Sequence, residues 1–204
     1  MPDLKTVLSV WADTMAANKQ RLIELDGAVG DSDLGLTMTD GFRAAFDAVK
    51  DSPETDMGKV AYFAGKAMGS AVPSTMGTLM ASGLMNAGKE LKGVETLTGC
   101  EWSKFFEAYF TGVQSRGKAQ LGDKTFLDGL WPAVEALRAN PDDLEASAPL
   151  AAKAANDAFL ATKGMLAKHG RMAIRGEQSR EYLDPGAAVA ALLMDGFAQA
   201  VALR

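Results

Sequence analysis

Apolar residues recur at three- and four-residue steps along most of this chain, and alternating Val/Ile/Thr runs are nearly absent. That pattern predicts amphipathic helices rather than strands. The first helix is expected over 4–24, with Leu4, Val7, Leu8, Trp11, Met15, Leu22 and Ile23 on one face. A second is expected over 37–49 (Met38, Phe42, Phe46, Val49), a third over 57–71, and a fourth from about 77 to 91. A fifth spans 101–119, with Trp102, Phe105, Phe106, Tyr109 and Val113 inward, and a sixth 125–138. The seventh covers 145–167. The eighth opens at Asp184, a good N-cap, with Pro185 at the first helical position, and runs to the end of the chain. Eight helices with mostly short connections predict an all-α bundle of antiparallel neighbours, parsed as a single domain over 1–204.

Glycines and aspartates are unevenly distributed among the breaks. They cluster at 26–35, 73–77, 122–125 and 170–186, after helices one, three, five and seven. Up-and-down alternation puts these four breaks at one end of the bundle. The breaks near 52, 95 and 142 read as plain turns.

Bulk properties narrow the possibilities. The 204 residues carry a net charge of −5 and are 48% hydrophobic, enough for a substantial core. The acidic balance disfavours nucleic acid as a partner. Cys100 is the only cysteine, so no internal disulfide forms. No signal peptide or stretch of about 18 uncharged apolar residues stands out, so the expectation is a cytoplasmic protein without a membrane span. The single histidine, His169, reads as a polar residue near a helix C-terminus. Cys100 reads as an unreactive loop thiol.

The stretch ELDGAVGDSDLGLTM, residues 24–38, is the most informative. Asp26, Asp31 and Asp33 fall within a glycine-containing loop between two helices. Converging carboxylates repel unless a cation neutralises them, and Mg²⁺ is commonly held by one or two carboxylates together with substrate phosphates. The loop is no EF-hand, because the twelfth position counted from Asp31 is Phe42. Ordinary helix capping is the alternative, and the spacing alone leaves both open. Helix starts near Gly77, Thr125 and Asp184-Pro185-Gly186 would offer free N–H groups to phosphates. No Walker A or dinucleotide glycine motif is present.

The segments LDGAVGDSDLG, RGKAQLGDKTFLDGLWPAVEAL and GRMAIRGEQSREYLDPGAAVAALLM resemble the signature segments of the nucleotide-binding L subunits of dihydroxyacetone kinases (DhaL, the DAK2 domain), in order and over nearly the whole chain. The resemblance implies a barrel of eight antiparallel amphipathic helices with ATP or ADP at one end. It implies that Asp26, Asp31 and Asp33 hold two Mg²⁺ ions. The nucleotide contacts it implies are Leu34, Gly35, Leu36 and Thr37, then Thr75, Met76 and Gly77, then Gly122 and Thr125, then Arg171, and finally Asp184, Pro185 and Gly186. The implied partners are a K subunit that holds a short-chain ketose and, in one branch, a phosphocarrier of the phosphotransferase system that recharges bound ADP. The family motif G-D-x-D-H-G has Leu34 in place of its histidine here, and its A-S-G appears as Thr75-Met76-Gly77. These departures leave two readings: a phosphotransferase subunit, or a nucleotide-bound regulatory module.

Overall fold

The computed structural model describes residues 1–203, and among them every regular element is helical. The elements are α1 (Leu4–Ala17), α2 (Lys19–Gly27), α3 (Leu34–Asp47), α4 (Met57–Ala71), α5 (Thr75–Glu90), α6 (Gly99–Gly117), α7 (Phe126–Ala139), α8 (Leu144–Ala161) and α9 (Pro185–Ala202). A 3₁₀ segment, Arg171–Glu181, precedes α9 and is broken at Gly176, whose φ is +55°.

Packing follows a closed circuit. α1 lies on α3, α3 on α4, α4 on α5, α5 on α6, α6 on α7, α7 on α8, α8 on α9, and α9 returns to α1. The eight-helix barrel expected from the sequence corresponds to this ring, with the short α2 packed outside against α3 and α9. Buried side chains from all nine helices join one cluster. At its middle the aromatic rings of Trp11, Phe42, Trp102, Phe105, Phe106 and Phe197 meet at centroid distances of 4.8–6.2 Å. The indole N–H of Trp11 donates to the Leu193 carbonyl at 2.7 Å, which closes the ring between its first and last helices. α9 is long and apolar enough to cross a membrane by length and composition alone, yet two-thirds of it is buried inside the protein. A helix with most of its surface packed into a core has that composition.

Three boundaries differ from the sequence reading. The expected first helix divides at Asn18, whose backbone N–H and side-chain amide both donate to the Thr14 carbonyl. The apolar spacing runs across this one-residue break and conceals it. α3 starts at Leu34 rather than 37, because the Asp26 carboxylate, from the end of α2, accepts the N–H groups of Asp33 and Leu34. α8 stops at Ala161 rather than 167. There Thr162 donates its hydroxyl to the Phe159 carbonyl and accepts the Asp184 N–H, which draws the chain away toward α9. Cys100 lies in the first turn of α6 rather than in a loop, exposed beside Asp142.

The close packing of the ring yields a paired prediction. A Cβ at Gly83 would meet the buried Tyr109 ring at 2.5 Å, whereas one at Gly69 on α4 is exposed and meets only Ala81 at 3.4 Å. Gly83→Ala is expected to lower unfolding free energy by about 1–3 kcal/mol through overpacking. Gly69→Ala is expected to raise it by about 0.5 kcal/mol through helix propensity. Urea titration of both variants measures the difference.

Candidate functional site

Four of the connections converge on one cavity of about 570 Å³. Its walls come from residues 26–34, 73–79, 117–127 and 169–186, the same four Gly/Asp-rich breaks that alternation assigns to one end. The N-termini of α3, α5, α7 and α9 therefore face a common space. Each brings a positive dipole end, worth roughly 0.3–1 kcal/mol toward a nearby anion.

The acidic loop lies on one side. One carboxylate oxygen from each of Asp26, Asp31 and Asp33 lies within 4.8 Å of the other two. The loop is shaped for this: Ser32 adopts left-handed φ (+65°), and a Cβ at Gly30 would overlap the Asp26 carboxylate. The three aspartates do different things. Asp26 caps α3, as described above. Asp33 occupies the N-cap position but makes no capping hydrogen bond. Asp31 accepts a hydrogen bond from Arg171 at 2.5 Å. Burial raises the Asp33 carboxyl above its ordinary range, and the negative charges of Asp31 and Asp26 add to this against the opposing pull of Arg171. A convergent, oxygen-only donor set with a destabilised anion fits a hard divalent cation such as Mg²⁺.

The other helix starts are capped by their own residues. Ser74 Oγ accepts the Gly77 N–H at 3.0 Å. Thr125 and Asp128 form a reciprocal capping box on α7. Asp184 Oδ2 accepts the Ala187 N–H at 2.7 Å. Asp184 is buried, and that burial pushes its carboxyl up to about 7.

Beside it sits Lys124, 1% exposed and in left-handed backbone conformation. Its ammonium donates to the carbonyls of Ser179 (2.6 Å), Tyr182 (2.6 Å) and Met165 (3.3 Å). Three donors thereby find three acceptors, and burial lowers the Lys124 pKa. This holds the 3₁₀ segment and its approach against the start of α7. A small apolar cluster of Val29, Ala167 and Met172 ties the same segment to the acidic loop.

Of the residues the family resemblance implicates, Asp26, Asp31, Asp33, Leu34, Thr75, Met76, Thr125, Arg171, Asp184, Pro185 and Gly186 line the cavity. Gly35, Leu36, Thr37, Gly77 and Gly122 do not. Gly35 packs on the Lys19 carbonyl and Ile23 of α2, and Thr37 is buried. Leu36 is exposed on the outer side of α3. Gly77 packs against Val72, with its N–H held by Ser74. Gly122 is an exposed left-handed turn residue whose N–H donates to Asp128.

Sequence reasoning missed Ser74, Lys124 and His169 as lining residues. His169 lies eight residues beyond the end of α8, not in a helix C-terminus, and its Nε2 is 3.0 Å from Asp123 Oδ2. Ser74 was legible, since a serine three residues before Gly77 is a capping signal. Nothing in the pattern distinguishes the buried Lys124 from a surface lysine.

A ring of eight helices with three converging carboxylates beside a cavity faced by four helix N-termini defines an all-helical scaffold with an anion-suited cavity at one end. The chain belongs to the DAK2 domain family, which it matches over residues 28–199. It is 33% identical over 94% of its length to the PEP-dependent dihydroxyacetone kinase 1, ADP-binding subunit DhaL of Listeria innocua, covering 92% of that protein. It is 32% identical over 95% of its length to the corresponding PEP-dependent subunit of Escherichia coli K12, covering 93% of it. The fold matches the crystal structure of the dihydroxyacetone kinase from C. freundii in complex with AMP-PNP and Mg²⁺ at TM-score 0.72 and 23% identity. That match covers 98% of this chain and 34% of the larger one.

The raised Asp184 gives a pH prediction. A carboxyl that keeps its proton in the folded state to about 7 but loses it near 4 when unfolded costs stability as pH rises between those values. Asp184→Asn keeps an N-capping side chain and removes the titration. Relative to wild type, the variant should therefore gain stability from pH 4 to pH 7, by a few kcal/mol at most, and hold level above that. Chemical denaturation of both proteins across this range measures the difference.

Proposed function

We propose that this chain is the Mg²⁺-dependent nucleotide-binding subunit of a dihydroxyacetone-kinase-type phosphotransferase. It passes phosphoryl from ATP, or from bound ADP recharged by a phosphocarrier, to dihydroxyacetone or a related small ketose held by a partner K subunit. The observation that carries this reading is the convergence of three carboxylates opposite four helix N-termini in one cavity. The names of the relatives, ADP-binding subunits of PEP-dependent kinases, support the nucleotide and the recharging route.

Phosphoryl transfer asks the protein for positioning and charge stabilisation more than for covalent chemistry. Bound divalent cations would supply charge neutralisation between the carboxylates and the polyphosphate. The helix starts after Ser74 and Thr125 offer N–H groups that would orient phosphate oxygens, and the start of α9 adds its dipole. Arg171, tethered to Asp31, keeps a guanidinium beside the triad for the charge that develops in transfer. Leu34, Val29, Met76, Leu79 and Met172 give the cavity apolar walls that exclude water from the reacting phosphates.

Leu34 and Met76 are also the observation that favours the second reading, a nucleotide-bound regulatory module, because they bring no polar group to the ligand. Turnover of ATP with a cognate K subunit and dihydroxyacetone separates the two. Rapid consumption supports the kinase, and tight ADP binding without consumption supports the module.

The distinct tasks of the aspartates generate a sharper test. Asp33→Asn and Asp31→Ala should each abolish Mg²⁺-dependent ADP binding in calorimetry while leaving thermal stability nearly unchanged. Asp26→Ala should lose binding and in addition about 1 kcal/mol of stability, because it alone caps α3. Full ADP affinity in Asp33→Asn would refute the metal role of the triad.

A further inference from the structure

We propose that His169 is a ligand-contacting residue of the cavity, held by Asp123 so that its Nδ1 donates to a phosphate oxygen of the bound nucleotide. The inference rests on the nucleotide reading above and adds to it a group that neither the aspartate motif nor the helix starts supply.

Three side chains able to carry positive charge line the cavity: Lys124, His169 and Arg171. Lys124 has its three donors committed to carbonyls. Arg171 is committed in part to Asp31. His169 uses one ring nitrogen, Nε2, toward Asp123 Oδ2 at 3.0 Å. Its Nδ1 has no hydrogen-bond partner among the described residues.

Asp123 is a rigid anchor. It is 6% exposed and accepts the Gln120 N–H at 2.8 Å and the Lys168 ammonium at 2.9 Å. Those contacts, the Lys168 hydrogen bond foremost, hold its carboxyl down at about 2, so it stays ionised. An ionised carboxylate at Nε2 requires a proton there, which leaves Nδ1 as the atom available to a ligand. A stapling role alone does not account for this geometry. Lys168 already clamps the two loops through its ammonium and through its N–H to the Asp123 carbonyl. The left-handed turn at Gly170 (φ +67°) lets His169 and Arg171, on either side of it, both line the cavity.

With Nε2 protonated, uptake of a second proton from solvent at Nδ1 turns that atom into a charged donor suited to a polyphosphate. The other charges facing the cavity are Asp26 at the end of α2, Asp31 and Asp33 after it, Lys124 before α7, Arg171 beyond Gly170, and Asp184 at the start of α9. Lys168 touches the pair from behind, through Asp123. A bound polyphosphate is the added anion that stabilises the doubly protonated ring.

Because the chain has one histidine, nitrogen-15 NMR of the ring reads this site without a background signal. Mg²⁺ and ADP should shift the Nδ1 resonance. His169→Gln should weaken ADP binding several-fold, and Asp123→Asn should weaken the Nε2-protonated preference of the ring. Calorimetry on wild type showing ADP bound, with the ring resonances unmoved, would overturn the inference and leave the nucleotide reading standing. Wild type that binds no ADP would overturn both.

Discussion

A buried ammonium group with no water to solvate it must find its partners in the protein, and Lys124 is such a group. Removing three protons' worth of hydrogen bonding from solvent costs several kcal/mol unless each is matched. The matches come from carbonyls at 165, 179 and 182, on a segment with little regular structure to hold it. The connection between α8 and α9 is thereby drawn against the start of α7, and a wall of the cavity exists. Arg171 and His169 lie on that wall. The constraint at Lys124 acts together with the Arg171–Asp31 pair and the Val29–Ala167–Met172 cluster to place that wall against the acidic loop.

The opposite wall follows a converse logic. Asp26, Asp31 and Asp33 crowd negative charge into a few ångströms, which the fold tolerates through local compensation. Asp26 is neutralised by the N–H groups of Asp33 and Leu34 and by the dipole of α3. Asp31 is matched by Arg171 across the cavity. Asp33 is left with least help, and the rise in its pKa reflects this. Capping, posed from spacing alone as the alternative to metal binding, falls to Asp26, which leaves Asp33 free of that task. The Arg171–Asp31 pair is solvent-exposed and contributes little to stability. Its consequence is positional, since it spans the two walls.

The helical class, core faces and the chemically distinct end of the bundle were legible from residue periodicity and from where glycine and aspartate fall. The final helix was legible to its first residue, because Asp184 and Pro185 act through local chemistry that needs no tertiary partner. The misjudged boundaries share a different cause. The early start of α3 and the early end of α8 are set by Asp26 and by the Thr162–Asp184 contact, both supplied from other segments. The division at Asn18 is hidden because apolar spacing survives a one-residue break. In the site, motif resemblance implicated Gly35, Leu36, Thr37, Gly77 and Gly122 as well; the first four lie on helix faces turned from the cavity, since successive helical residues are about 100° apart, and Gly122 lies in an exposed turn. His169 and Lys124 escaped because the partners that place them lie forty or more residues away in sequence.

The same long-range dependence explains why α9 is so apolar. It touches α1, α2, α7 and α8, so only a narrow stripe at Asp195, Gln199 and Ala202 is left for solvent. A polar residue on its other faces would lie among rings such as Trp102 and Phe106 with no partner. Its N-terminus nevertheless has to open onto a polar cavity. Asp184 stands at that junction, buried enough to be pushed toward neutrality yet needed as a cap. Lys124 nearby moderates the cost, since its positive charge opposes the rise. The cation that anchors the cavity wall therefore also stabilises the anion that begins the core helix, and the site and the core depend on one another through that pair.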